Sequence, residues 1–380
     1  MDTIKLYDEA PYKTEFEARV IKVNGADVIL DRTLFFPEEG GQCADRGTLE
    51  DVPVKDVQIH GTTIVHTMAA DDLSFKEGDT VHGVIDWGLR FSNMQNHSAE
   101  HIISGLVHEI YGYDNVGFHL GHDEITMDYN GVLTSADLRA LEHKANRIVW
   151  DNRPVLCEYP AQDVLSRLDY RSKKDIDGPV RIVTIEGVDV CACCAPHVRT
   201  TGEIGLVRLI KCEKNRGNTR VYMAAGESAL ALSEKEADVC TALCQLLSAN
   251  DETLYDYVEA LVRKNGALES RLKHMALDHA RTKVNEAVQA GQCVVFDSDM
   301  DINGAKILVN DALKDGADVM ALMIGNCAEG YRFVLAAKDD ARTHLERLKA
   351  LGGRGGGNQD MVQGMVKADE ETIREALERK

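Results

Sequence analysis

The first part of the chain alternates apolar and polar residues, which is the pattern of β-strands with one buried face. Short runs of this kind include Ala18–Val23, Asp27–Leu30 and Thr62–His66, and Gly, Asp and Asn residues separate them. Several short strands with such punctuation are typical of a small barrel or sandwich. We therefore predict a small β-barrel domain over residues 1–88.

One segment of this strand-rich region has a different composition. It runs from Phe35 to Gly47 and places two adjacent glycines, Gly40 and Gly41, directly before Gln42. Glycine adopts positive φ and lets another part of the backbone approach closely. The segment is therefore either a simple hairpin turn or a turn that serves a functional site.

The apolar spacing becomes helical from about residue 88 to residue 112. Apolar residues recur at spacings of about four and eight, as the buried face of a helix requires. They are Met94, Ile102, Leu106 and Ile110. His97 and His101 are one helical turn apart and so share a face. This geometry offers two imidazoles to one metal ion.

The rest of the chain changes character twice. Strands and helices alternate up to about residue 228, which predicts an α+β domain over residues 89–228. Residues 229–290 have apolar positions three and four apart, as in a coiled coil, with Asn265 in the seam, and form a helical hairpin or a dimer stalk. Alternation resumes in residues 291–380 and predicts a compact α/β domain. The predicted fold class is α+β.

A glycine-rich segment lies within this last domain. From Leu351 to Gly364 six glycines surround Arg354, so the segment cannot be the interior of a helix. We predict a loop whose exposed N–H groups, together with Arg354, suit a phosphate or a sugar.

The composition is that of a globular protein, with 44% hydrophobic and 28% charged residues. A net charge of −20 argues against indiscriminate nucleic-acid binding. Basic patches at Arg171–Lys174 and Lys211–Arg216 with Arg220 could still contact phosphates. The first residues have no signal-peptide pattern, and no apolar stretch approaches the roughly 20 residues of a membrane span. We expect a cytoplasmic protein without membrane contact.

Three of the ten cysteines are crowded together, at positions 191, 193 and 194. A secreted disulfide framework would be denser and its chain shorter, so we interpret most cysteines as reduced. Cys193 and His197 have a spacing of four, as do His97 and His101, and the two pairs make a donor set suited to tetrahedral zinc. At this point two questions stay open: whether Cys191 or Cys194 replaces Cys193, and whether the zinc is structural or catalytic.

Glu100 permits another interpretation. His97-Ser98-Ala99-Glu100-His101 matches His-x-x-Glu-His, a zinc-peptidase motif in which the glutamate is the general base. A peptidase of this kind would not require Cys193 and His197.

In combination, these motifs resemble the editing half of alanyl-tRNA synthetase and its freestanding counterpart, the AlaX family of alanyl-tRNA editing proteins. The shared motifs occur in the same order, and the resemblance to the long form of that family covers nearly the whole chain. They are Gly40-Gly41-Gln42, His97-x-x-x-His101, Cys193-x-x-x-His197 with Val198, Thr201–Gly205, and the glycine-rich Gly352–Gly364.

The resemblance implies a trans-editing deacylase that hydrolyses the ester of tRNA(Ala) mischarged with serine, or with glycine. It implies that zinc is bound by both ligand pairs and that Gln42 borders the amino-acid pocket. The C-terminal domain is similar to the one that follows DHH phosphoesterase domains, which implies nucleic-acid contact and a homodimer through this region. The residues expected to contact RNA are Arg216, Arg220, Arg354, Gly355 and Gly356.

The chain departs from the family pattern at two places. The family has Thr directly before the second histidine, where this chain has Glu100, and Cys-Gly-Gly-Thr-His is replaced by Cys193-Cys194-Ala195-Pro196-His197. We therefore predict a catalytic role for Glu100, either in binding the hydroxyl or ammonium group of the substrate or in acting on water. The competing functions are a non-enzymatic tRNA-binding zinc protein and a zinc peptidase.

Overall fold

The computed structural model describes residues 2–121, 124–172 and 178–378. The chain divides into two compact units, Met1–Cys240 and Thr241–Lys380. The described elements are a mixture of helices and sheets, which confirms the α+β class. The division into four domains stays a prediction, and Lys173 and Lys174 of the first basic patch lie outside the described residues.

The first unit begins with a barrel. The elements of this region are β1 (Ile4–Lys5), α1 (Leu6–Glu9), β2 (Glu15–Asn24), β3 (Asp27–Leu30), β4 (Arg32–Thr33), β5 (Gly47–Leu49), β6 (Val52–His60), β7 (Thr63–Met68) and β8 (Thr80–Ile85). Six of the strands close in the order β2-β3-β7-β6-β5-β8, with antiparallel neighbours. Side chains alternate along a strand, so Val28, Leu30 and Ile64 point into the barrel and are buried.

The second half of this unit packs two sheets and two long helices together. Its elements are α2 (Trp87–Tyr111), β9 (Asn115–Leu120), β10 (Ile125–Tyr129), α3 (Ser135–Trp150), β11 (Val155–Glu158), α4 (Gln162–Leu165), β12 (Ile182–Ile185), β13 (Asp189–Ala192), a 3₁₀ turn (Thr201–Ile204), β14 (Val207–Asn215) and β15 (Asn218–Ala225). One antiparallel sheet has the order β14-β15-β10-β9, and the other has the order β11-β12-β13.

Helix α2 has both its apolar and its polar faces buried, because it is packed against elements on more than one side. The Asp86 side chain accepts a hydrogen bond from the Leu89 N–H and caps the start, and Gly112 ends the helix with a left-handed φ of 68°. The predicted helix at residues 88–112 is therefore confirmed. Its buried polar face makes it the natural place for a functional site.

The second unit contains a five-stranded sheet. From the helix that crosses the unit boundary to the end, the elements are α5 (Glu227–Leu247), α6 (Leu254–Gln289), β16 (Val294–Asp297), α7 (Ile302–Lys314), β17 (Val319–Asn326), β18 (Gly330–Ala337), α8 (Ala341–Ala350), β19 (Arg354–Gly357), β20 (Met361–Val366) and α9 (Glu370–Glu378). The strand order is β16-β17-β18-β20-β19, and only the β16–β17 pair is parallel. One apolar core lies towards α6 and α7, and a second lies towards α8 and α9.

The glycine-rich segment is not the loop that we predicted. Arg354–Gly357 forms the edge strand β19, and Gly355 pairs with Gly364 of β20. A Cβ atom on Gly355 would lie 2.5 Å from the Gln363 carbonyl oxygen, so the close approach of the two strands requires glycine. Strand pairing with β20 is the physical reason for the correction.

Helix α6 has 36 residues and continues through the predicted coiled-coil seam. The seam residues Val258, Leu261, Leu268 and Leu272 are exposed. Within the described part of the chain, no helix has the length and apolar character needed to cross a membrane.

Candidate metal centre

The predicted histidine pair lies on the buried side of α2. His97 and His101 are each 2% exposed, and their ring centroids are 5.5 Å apart. Residues one turn apart in a helix share a face, so both imidazoles point towards the same space.

The second pair lies in the loop that follows β13. Arg181 holds this loop: its carbonyl oxygen accepts the Cys193 N–H at 3.0 Å, and its guanidinium donates to the carbonyl oxygens of Cys193 and Ala195. His197 is buried. The next residue, Val198, donates its N–H to the Ser98 hydroxyl of α2. The loop is thus fixed to α2 beside the histidine pair.

The four predicted ligands come together. The ligand atoms of His97, His101, Cys193 and His197 all lie within 4.8 Å of one another. Cys193 Sγ lies 3.5 Å from Nε2 of His97 and 3.3 Å from Nε2 of His197. With Zn–S of about 2.3 Å and Zn–N of about 2.0–2.1 Å, tetrahedral zinc places sulfur about 3.6 Å from each nitrogen. The donor set therefore fits zinc in both chemistry and spacing.

The protonation of Cys193 and His197 also suits a metal. His101 differs, because burial lowers its pKa but the hydrogen bond to Asp189 outweighs burial and raises the pKa well above its usual value. Burial alone would raise the pKa of the Cys193 thiol, but the His97 and His197 imidazoles lower it well below its usual value. Burial lowers the pKa of His197 to about 3, although Cys193 opposes this effect. A thiolate and a neutral imidazole are the forms that coordinate metal ions.

Each histidine has a hydrogen-bond partner on the ring nitrogen that faces away from the cluster. Nδ1 of His97 lies 2.8 Å from Gln42 Oε1, Nδ1 of His101 lies 2.8 Å from Asp189 Oδ2, and Nδ1 of His197 lies 3.0 Å from Ser98 Oγ. Such partners set the tautomer and the orientation of a ligating imidazole. All three Nε2 atoms are therefore directed to the shared space.

Gln42 reaches His97 because the Gly40-Gly41 turn docks on strand β9. The Leu120 N–H donates to the Gly41 carbonyl at 2.7 Å, and the Cys43 N–H donates to the Leu120 carbonyl at 3.1 Å. Gly41 has a φ of +86°, and a Cβ atom there would lie 2.3 Å from the Phe118 carbonyl oxygen. Gln42 is fully buried, and its Nε2 has no hydrogen-bond partner among the described residues. The amide that contacts His97 therefore keeps an unsatisfied donor inside the protein.

An ion pair connects the same segment to the start of α2. The Arg90 and Asp45 side chains are 0% and 1% exposed, and Arg90 Nε donates to both carboxylate oxygens of Asp45 at 3.0 and 3.1 Å. Arg90 also donates to the Pro11 carbonyl at 3.0 Å. The pair holds the Gln42 segment against the helix that carries His97.

Glu100 is buried at the edge of the cluster. Its Oε1 accepts hydrogen bonds from Ser104 Oγ at 2.7 Å and Asn115 Nδ2 at 2.5 Å, and its Oε2 lies 3.9 Å from Nε2 of His101. A cleft of about 740 Å³ reaches Asn115 and Asp189 from the surface. The side chains that position Glu100 and His101 therefore line an open cleft.

Two supporting residues were not predicted from the sequence. The first is Asp189. Besides its contact with His101, its carboxylate accepts hydrogen bonds from Arg171 Nε at 2.7 Å and from Arg171 Nη2 at 2.9 Å. Burial raises the pKa of Asp189, but the bonds to His101 and Arg171 outweigh this effect and lower it. Ser98 is the other. In the sequence, the only sign of a role for Asp189 is that it is an acidic residue in the apolar strand β13. No sequence pattern points to Ser98.

None of the predicted RNA-contacting residues is one of the four donors. Arg216 is exposed at the β14–β15 turn, with a φ of 50°. Arg220 forms a two-point ion pair with Asp128, at 2.7 and 2.8 Å. Arg354, Gly355 and Gly356 lie in the exposed edge strand β19. The RNA-binding role of these residues stays a prediction.

Two family models match parts of the chain. The model for class II (A) tRNA synthetases matches residues 5–89, which contain the barrel. The model for the second additional domain of threonyl- and alanyl-tRNA synthetases matches residues 180–222, which contain Cys193 and His197.

Curated relatives match almost the whole chain. The alanyl-tRNA editing protein AlaX-L of Pyrococcus horikoshii is 27% identical over 97% of this chain and 96% of its own length. The alanyl-tRNA editing protein Aarsd1 of Danio rerio is 28% identical over 93% of this chain and 88% of its own length. The alanine–tRNA ligase of Pyrococcus abyssi is 30% identical over 99% of this chain, but the match covers only 43% of the ligase. The resemblance predicted from the motifs is confirmed.

Proposed function

We propose, from the similarity of this chain to alanyl-tRNA editing proteins over nearly its whole length, that it is a trans-editing deacylase. Its substrate would be tRNA(Ala) mischarged with serine, or with glycine, and the reaction would be hydrolysis of the aminoacyl ester. The observation that carries the proposal is the cluster of three buried histidines, His97, His101 and His197, with the half-buried Cys193. The chain that carries this cluster matches 96% of the length of the alanyl-tRNA editing protein AlaX-L.

We propose zinc as the metal of this cluster, because one thiolate and three imidazoles in tetrahedral spacing suit that ion. A bound zinc ion would supply a Lewis acid for the ester carbonyl or lower the pKa of a water molecule. The protein holds the imidazoles through Gln42, Asp189 and Ser98.

Glu100 would bind the ammonium group of the aminoacyl ester. The carboxylate is buried and held by Ser104 and Asn115, and it lies 3.9 Å from a metal-facing nitrogen of His101. A buried negative charge favours a cationic partner over a neutral hydroxyl, since hydrogen bonds to charged groups are worth about 1.5–3 kcal/mol.

Variants of Glu100 and Gln42 should separate substrate binding from metal binding. Glu100→Gln keeps an oxygen acceptor for Ser104 and removes the charge, so kcat/KM should fall about 10- to 150-fold with zinc content unchanged.

Gln42→Met removes the acceptor for His97, so zinc affinity should fall about 10- to 100-fold. Single-turnover deacylation and competition with a zinc chelator measure the two effects.

The selectivity of Glu100→Gln tests which substrate group this residue contacts. An ammonium contact lowers the rates for seryl- and glycyl-tRNA(Ala) alike, whereas a hydroxyl contact lowers only the serine rate. If neither rate changes, Glu100 has no role in the reaction.

The RNA would contact Arg216, Arg220 and the Arg354–Gly356 strand. Exposed arginines bind phosphates without regard to base sequence.

We also propose a homodimer through the C-terminal region, where the seam of α6 is exposed. Sedimentation velocity that finds only a monomer at micromolar concentration would exclude the dimer.

The decisive experiment uses seryl-tRNA(Ala), alanyl-tRNA(Ala) and a peptide mixture, each with and without a zinc chelator. We expect serine release that the chelator abolishes, with alanine largely retained on the tRNA. Binding of tRNA without turnover would favour a non-enzymatic zinc protein, and cleavage of peptides alone would favour a peptidase.

In the same assay, Arg216→Ala and Arg354→Ala should raise KM for the aminoacyl-tRNA and leave kcat unchanged. An unchanged KM would mean that these arginines do not contact the RNA.

A further inference from the structure

Arg171 belongs to the first of the two basic patches in the sequence, but its guanidinium is directed into the protein. The side chain is 16% exposed, and its Nε and Nη2 donate to the two carboxylate oxygens of Asp189 at 2.7 and 2.9 Å. The Asp189 side chain is only 2% exposed. Two parallel hydrogen bonds to one carboxylate are a geometry that arginine offers and lysine does not. The structure therefore directs Arg171 towards a buried carboxylate and not towards a phosphate.

The backbone places Arg171 beside the strand that carries Asp189. The Arg171 N–H donates to the Val190 carbonyl at 2.8 Å, and the Arg171 carbonyl accepts the Ala192 N–H at 2.9 Å. Arg171 thereby pairs with Cys191 of β13 in a parallel bridge. Because both members of the ion pair lie on hydrogen-bonded backbone, the guanidinium is held at a fixed position relative to the carboxylate.

Asp189 connects this ion pair to one of the four donors. Its Oδ2 accepts from Arg171 Nη2 and also lies 2.8 Å from Nδ1 of His101. A carboxylate on the outer nitrogen of a ligating histidine fixes the orientation of the ring. Nε2 of the same ring faces the donor cluster. A continuous chain of contacts therefore runs from Arg171 through Asp189 to the metal-facing nitrogen of His101.

The charge of Arg171 and its geometry affect a bound metal ion in opposite directions. A positive charge repels a divalent cation, so removal of the charge alone would strengthen zinc binding. Loss of a fixed His101 ring weakens zinc binding, because the partners of ligating histidines are typically worth about 10- to 100-fold in affinity. The direction in which zinc affinity changes therefore separates the two effects.

We propose that Arg171 is a positioning residue of the metal centre, which acts through Asp189 to hold the His101 imidazole in the orientation that binds zinc. This inference rests on the proposed metal and not on the proposed reaction. Arg171 and Asp189 both line the cleft of about 740 Å³, so a small molecule can reach their ion pair from the solvent. This access makes the proposal testable by chemical rescue.

Arg171→Ala in the full-length protein should lower zinc affinity roughly tenfold, as measured by competition with a chromophoric chelator. Ethylguanidinium has the atoms that this substitution removes, and adding it should restore zinc affinity. Ethylammonium has the same charge without the two-point geometry and should not restore it.

Two further variants complete the comparison. Arg171→Lys keeps a counter-charge for Asp189, which protects folding, but it lacks the two-point geometry and should also lose zinc affinity. Arg153→Ala is the matched control, because Arg153 pairs with Asp151 but the two side chains are 34% and 51% exposed. This control should bind zinc as the wild type does.

A double-mutant cycle shows whether Arg171 acts through Asp189. In the Asp189→Asn background, Arg171→Ala should cause no further loss of zinc affinity, because the connection to His101 is already weakened. An equal loss in both backgrounds, or unchanged or tighter zinc binding by Arg171→Ala alone, overturns the inference. A wild type that binds no zinc overturns the inference together with the proposed metal. A wild type that binds zinc but releases no serine overturns only the deacylase proposal.

Discussion

Replacing Cys193 with alanine should strip zinc from the protein and abolish serine release. Cys193 is the only sulfur in the cluster, and its Sγ lies 3.5 and 3.3 Å from two of the three imidazole nitrogens. Structural zinc sites bind with roughly 10–16 kcal/mol, so one of four ligands accounts for about 2.5–4 kcal/mol, or on the order of 10²- to 10³-fold in affinity. Zinc content after dialysis against a chelator, measured by mass spectrometry, checks the loss.

Cys194→Ala is the matched control, because the same atom is removed one residue further on. Cys194 is not part of the four-donor cluster in the described chain, and burial raises the pKa of its thiol, so it stays protonated. We expect this variant to retain zinc and deacylation. The opposite pattern, with zinc retained by Cys193→Ala and lost by Cys194→Ala, would show that the ligand was assigned to the wrong cysteine.

The two ligand pairs were predictable because each is a local pattern. His97 and His101 are one turn apart on a helix whose apolar period is visible in the sequence, and Cys193 and His197 are equally close in the chain. That the pairs meet depends on tertiary packing, in which Arg181 and Ser98 hold the β13 loop against α2. The sequence alone offered only the chemical compatibility of the four residues.

The residues that support the ligands depend on contacts between distant segments. Asp189 meets His101 across 88 positions, and no local spacing marks it. The Gly40-Gly41 turn has a visible backbone preference, but the distance from Gln42 to His97 follows from docking on β9. The glycine-rich segment failed as a loop prediction for the same reason, since its pairing with β20 is not visible in its composition.

Replacing Arg90 with methionine should destabilise the first unit by about 3–5 kcal/mol, the usual cost of leaving one partner of a buried ion pair unpaired. The Arg90 and Asp45 side chains are 0% and 1% exposed, so water cannot compensate the remaining carboxylate. Asp45 lies three residues after Gln42, so zinc affinity should also fall when this segment is no longer held on α2. Trp87 and Trp150 both lie in the first unit and are the only tryptophans, so their fluorescence in a denaturant titration reports this unit alone.

The Asp45→Asn substitution gives the sharper version of this test. In the wild type it should destabilise the unit, because the buried Arg90 charge then has no counter-charge, although its hydrogen bonds to the Pro11 and Leu34 carbonyls remain. In the Arg90→Met background it should restore stability, because it removes the unpaired carboxylate and keeps an acceptor for the Phe36 N–H. Arg32→Met is the control, since the Arg32–Asp31 pair is 46% and 28% exposed and should contribute less than about 1 kcal/mol. Equal losses for Arg90→Met and Arg32→Met, or no reversal of sign by Asp45→Asn, would mean that the buried pair does not fix the Gln42 segment to α2.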